Sequence, residues 1–171
     1  MNRKLLNLRR PGLERGCRGW ERGRESGLLV DLHKELPKDS PQPAQAWAVY
    51  CLSLVKAKSF HEAELLLRDC LAIREKKQPD DWRTFNTQSM LGGALLGQKK
   101  YADAEPLLLK GYEGMKQREK TIPQQGATRI PEALDRLIEL YTATDKRDEV
   151  KKWRAERAKY PNVAPPPREK R

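Results

Sequence analysis

The sequence predicts an all-α chain, a solenoid of about three helical hairpins, and three observations carry that prediction. The first is self-similarity at a separation of about 41 residues. Residues 47–54 and 58–67 are answered by residues 88–95 and 99–108. Setting Phe60 on Tyr101 also sets Ala63 on Ala104, Glu64 on Glu105, Leu67 on Leu108 and Leu54 on Leu95. A fixed period of roughly 20–50 residues marks a repeat architecture. The second is apolar residues recurring at helical spacing, as in Trp47, Tyr50, Cys51 and Leu54. The third is the lack of period-two alternation and the scarcity of β-branched residues, which argue against strands.

Taken in order, residues 1–26 read as a disordered, irregular segment. Gly12, Gly16, Gly19 and Gly23 punctuate an Arg-rich stretch, and glycine at that density breaks helix and strand alike. Residues 27–43 read as a short helix over 28–36 followed by a linker, because Pro37, Pro41 and Pro43 cannot continue a helix. The repeat domain is expected over 44–159, with repeats at about 44–79, 82–120 and 130–159. Its first helix runs over about 43–57. Ser59, with Glu62 three residues on, forms a capping box for the second, which ends near Lys77. Asp80 or Asp81 caps a third helix that ends near Gln98.

The fourth helix is expected from Tyr101 to about Glu119, with Pro106 in its first turn, where a missing N–H does little harm. A turn-rich linker follows over 121–128. A fifth helix spans about 130–144, with Leu134, Leu137, Ile138 and Tyr141 on one face, and a sixth runs to about Lys159. Residues 160–171 form a Pro-rich basic tail, which favours extended polyproline II.

Close helix crossings require small residues, with large ones at the neighbouring contacts. The small positions are Cys51, Ala63 and Cys70 in the first repeat, then Gly92, Ala104 and Gly111 in the second. In the third, Val150 and Arg157 stand where small residues are expected. On these residues, on the run 70–76 followed by Pro79-Asp80-Asp81, and on the run 104–108, the chain resembles tetratricopeptide repeats. The variety is the one of about 42 residues found in kinesin light chains and bacterial relatives. From residue 81 to the tail it is also similar to the C-terminal ends of bacterial repeat arrays in Planctomycetes-like bacteria, some of them fused behind Ser/Thr protein kinase domains. The resemblance implies a right-handed α-solenoid and a divergent last repeat acting as a polar cap.

What the resemblance implies for function is a non-catalytic scaffold that holds a protein or peptide in its concave groove. The groove residues it implies are Val49, Leu52, Val55 and Lys56 in the first repeat, Asn86, Ser89, Met90 and Leu96 in the second, and Arg136 and Glu139 in the third. Related repeats that bind chaperone C-termini use a clamp of Lys, Asn and Arg at such places. Here Ala48, Leu52, Ser89 and Gly93 stand there, so that clamp is not expected. A regulatory module of a kinase whose catalytic part lies elsewhere is the second expectation.

Composition and motifs bound the remaining classes. The formal net charge is +11, with 35 Lys and Arg against 24 Asp and Glu, which favours acidic partners. The densest basic patch is 1–24, a third reading as a nucleic-acid binder. Only Trp20 interleaves there and Glu14 and Glu21 dilute the charge, which argues against it. There is no phosphate loop, no kinase motif set and no zinc-hydrolase motif, so neither catalysis nor any cofactor or metal is expected. His61 reads as a surface histidine, and Cys51 and Cys70 as small apolar fillers. No apolar run reaches the ~18 residues of a membrane span and no secretory leader is visible, so the expectation is cytoplasmic, without membrane. The first hairpin lacks an obvious polar cap, so self-association through it is expected.

Overall fold

The computed structural model describes Cys51, Leu54 and residues 58–160. Five α-helices lie in this region: α1 (Phe60–Lys77), α2 (Trp82–Gly97), α3 (Tyr101–Gln117), α4 (Arg129–Ala143) and α5 (Arg147–Arg157). Two short 3₁₀ turns, Glu119–Thr121 and Gln124–Gly126, join α3 to α4. Among the described residues there is no strand. Cys51 and Leu54 are helical. The rest of the expected first helix, the segments 1–26 and 27–43, and the tail from 161 lie outside the described residues.

The helices are cut by one recurring turn. Lys58, Lys99 and Asp145 adopt left-handed backbone, with φ of 62°, 63° and 52°. In each case the next amide donates five residues back: Ser59 to the Leu54 carbonyl at 2.9 Å, Lys100 to Leu95 at 3.0 Å and Lys146 to Tyr141 at 2.9 Å. This is the Schellman ending, which satisfies carbonyls that a helix C-terminus leaves without partners. The interval is 41 residues, then 46, the longer one spanning the 3₁₀ turns. None of the three positions is glycine, so each side chain is in a region costing about 1 kcal/mol. Lys99→Gly is therefore expected to stabilise the chain by about 0.5–1 kcal/mol in a urea titration. A loss would show that the turn is held by more than its backbone.

Of the two expected caps of α2, Asp81 is the one that forms, its carboxylate accepting from the Arg83 amide at 2.7 Å. Ser59 makes no side-chain cap on α1; its amide is already spent on the Leu54 carbonyl, so the capping box does not form. Pro106 lies in the second turn of α3, not the first: the helix starts at Tyr101 as expected, and Pro106 is its sixth residue. The missing N–H leaves the Ala102 carbonyl without its usual i+4 donor. The fourth expected helix stops at Gln117, and residues 119–121 tighten into 3₁₀ geometry.

Helix α2 packs on α1, α3 and α4, while α3 packs on α4 and α4 on α5. That central place explains why α2 buries nearly all its residues from Thr84 to Leu96, as a helix covered on all sides must. Leu67, Leu95, Leu108, Met115, Leu134, Leu137 and Leu140 form the fully buried spine. Small residues sit at the crossings, with Cys51, Ala63, Cys70 and Ala104 all at 0 % exposure.

Two carboxylates join successive hairpins. Glu64 on α1 is buried and accepts from Arg68 at 2.7 Å, Gln98 at 2.7 Å and Lys100 at 3.0 Å. Glu105 on α3 accepts from the Tyr141 hydroxyl at 3.0 Å and from Lys146 at 3.1 Å. Burial alone would raise the Glu64 pKa, but the three donors more than offset it and hold it at about 2, against an ordinary 4.5. A depressed folded-state pKa contributes stability that is complete above the ordinary value and is lost as protons are taken up. Arg68 and Lys100 are about half exposed, so the contribution is reduced by screening to about 2 kcal/mol. Urea stability is expected to fall by that amount between about pH 5 and pH 2. Glu64→Gln should flatten this limb; an unchanged acid limb in the variant would contradict the assignment.

Candidate functional site

The implied groove residues of α2 and α4 meet where Arg136 crosses Gly93. The absence of a side chain at Gly93 makes room: a Cβ there would lie 2.9 Å from Arg136 Cδ and 3.0 Å from Nε. The stem of Arg136 therefore lies on the α2 backbone, and its Nη1 donates to Ser89 Oγ at 3.0 Å. Only 13 % of the Arg136 side chain is exposed. Its nearest carboxylate, Glu132, is 3.8 Å away and is itself engaged by Arg129 at 2.8 Å. Burial pushes the Arg136 pKa down and Glu132 pushes it back up, but a guanidinium stays charged in either case. Among the described residues, the result is a covered cation with one neutral hydrogen-bond partner and one long ion pair, to a Glu132 that it shares with Arg129.

One turn from Ser89 lies Asn86, 6 % exposed. Its Nδ2 contacts Met90 Sδ at 3.6 Å, and its buried Oδ1 has no hydrogen-bond partner among the described residues. A buried acceptor left unpaired costs about 1–3 kcal/mol. Arg136, Ser89 and Asn86 thus offer a charged donor, a hydroxyl and a carbonyl along one face.

The other implied positions divide. Ser89, Met90 and Leu96 are buried, Leu96 at 5 % exposure, and Glu139 is exposed. Val49, Leu52, Val55 and Lys56 lie outside the described residues. The structure brings Asn86, Ser89, Met90 and Arg136 together.

Reactive chemistry is not favoured at the two described cysteines, Cys51 and Cys70. Burial, with Cys70 nearby, pushes the Cys51 thiol up to about 12, and burial raises Cys70 as well. Both stay protonated near neutral pH, and the thiolate is the reactive form. His61 is exposed. No helix among the described residues is long and apolar enough to cross a membrane.

A feature that sequence reasoning missed lies at the α3–α4 linker. A cavity of about 180 Å³ is lined by Ile122, Gly126, Ile130, Pro131, Glu119 and Tyr160. The signal for it was Pro123 with Gly126, which read only as a turn; the walls come from residues about 40 positions apart in sequence.

No family model matches this chain, and no curated protein matches it.

Proposed function

We propose that the chain is a non-catalytic scaffold of the tetratricopeptide kind, a right-handed solenoid of hairpins that holds an extended acidic peptide along the face formed by α2 and α4. The observation that carries this reading is the Arg136 guanidinium, covered and aligned by Ser89, whose ion pair with Glu132 is long and shared with Arg129. A peptide carboxylate, from an Asp or Glu side chain or a C-terminus, supplies a closer counter-charge than Glu132, and charge-assisted hydrogen bonds are the strong ones. The repeat reading is supported by the three matching Schellman turns and by the small residues at the crossings. Net positive charge steers an acidic partner to this face.

The test is selection of random peptides on the full chain, followed by titration of a selected peptide by fluorescence anisotropy. The expected result is enrichment of Asp, Glu or a free C-terminus. Arg136→Gln is expected to weaken the selected peptide about tenfold or more, equivalent to about 1.4 kcal/mol, at unchanged helicity. No enrichment over a denatured control, or equal affinity in the variant, would refute the reading.

A further inference from the structure

Counted from the left-handed residue of each turn, the three hairpins carry two matching positions. One residue on stand Ser59, Lys100 and Lys146; six on stand Glu64, Glu105 and Lys151. Glu64 receives Lys100 at 3.0 Å, and Glu105 receives Lys146 at 3.1 Å. An acid on the second helix of one hairpin therefore takes the turn lysine of the next. The pairing is directional, because acid and base occupy different positions and do not exchange roles.

The third hairpin reverses the receiving charge. Lys151 is exposed, and among the described residues its ion pair is with Asp148 at 3.7 Å, itself fully in solvent. A further hairpin of this kind, docked on α5 as α4 docks on α3, would bring its own turn lysine against Lys151. Like charges at such a contact repel, and an incoming lysine would lose its hydrogen-bond acceptor on burial. Two other positions agree. Val150 stands at the place of Ala63 and Ala104, and Arg157 at the place of Cys70 and Gly111. Arg157 is turned instead to Asp135, at 2.8 Å.

We infer that the Glu–Lys pair is a latch that sets the order of hairpins, and that Lys151 makes the outer face of α5 reject a further hairpin carrying a turn lysine. The inference stands on the hairpin geometry and does not depend on the peptide-binding reading.

The experiment inserts a second copy of residues 118–157 directly after Arg157 in the full chain, with Lys151 of the first copy either kept or changed to Glu. Native-state amide exchange reads the inserted helices, and protection in α2 and α3 verifies that the parent hairpins remain folded. With Lys151 the inserted helices are expected to exchange nearly as an unfolded segment. With Lys151→Glu their protection is expected to rise at least tenfold, while Lys151→Gln, which removes only the repulsion, should gain less. Equal protection with Lys151 and with Glu, whether high or low, overturns the inference.

Discussion

Trp153→Ala is expected to release α5 from the remainder of the chain, lowering stability by about 3–5 kcal/mol. Trp153 is the sole buried side chain of that helix. Its ring meets Tyr112 edge-on, with centroids 5.2 Å apart and planes at 84°, a favoured aromatic geometry. Its indole N–H donates to Glu149 at 2.9 Å, and Lys152 sits over the ring at 4.8 Å. Besides Trp153, α5 is held by half-buried Val150, by the Tyr112 hydroxyl, which donates to Glu156 at 3.0 Å, by Arg157–Asp135 at 2.8 Å, and by exposed ion pairs such as Arg147–Asp145, which contribute little. An 11-residue helix is marginal in water without tertiary packing, so the loss should appear as local opening. Urea unfolding by far-UV circular dichroism, with amide exchange over 147–157, measures it. Trp153→Phe, which keeps a ring but loses the N–H, should cost about 1–2 kcal/mol. A loss under about 1 kcal/mol for Trp153→Ala would show that α5 is held by something other than this side chain.

The all-helical class and the hairpin spacing could be read from sequence because both rest on local periodicity. Phe60 and Tyr101, Ala63 and Ala104 repeat with the same offset as the Schellman turns at Lys58 and Lys99. Small residues at Gly92, Ala104 and Gly111 could be read for the same reason: a crossing constrains residue size, and size is visible in a string of letters. Hydrogen-bond choices were harder. Ser59 and Glu62 have capping-box spacing, yet the Ser59 amide is taken by the preceding turn, a contact that pattern does not encode. The first-turn reading of Pro106 failed on spacing alone: α3 starts at Tyr101 as expected, and at 3.6 residues per turn its sixth residue is already in the second turn. At the candidate site, sequence supplied Asn86, Ser89 and Arg136 separately. That Arg136 lies across Gly93 depends on the approach of α4 to α2, about 45 residues away in the chain. Glu64 and Glu105 were visible only as matching letters; their lysine partners sit on the following hairpin.

Gly111→Ala is expected to cost about 3 kcal/mol, although alanine is the better helix former by about 1 kcal/mol. A Cβ at Gly111 would lie 2.7 Å from the Ser89 backbone nitrogen and 2.8 Å from the Phe85 backbone oxygen. These are atoms of the α2 helix itself, so no side-chain rotation relieves the clash and the two helices must separate. The crossing also positions Ser89, which holds Arg136, so the substitution should weaken any ligand of that face as well. Lys110→Ala, on the exposed side of the same helix, serves as the control and should stay within about 0.5 kcal/mol of the parent. Urea midpoints for the two variants decide the matter. A Gly111→Ala protein as stable as the control would mean that α2 and α3 are not in backbone contact, and both the hairpin packing and the placement of Ser89 would have to be redrawn.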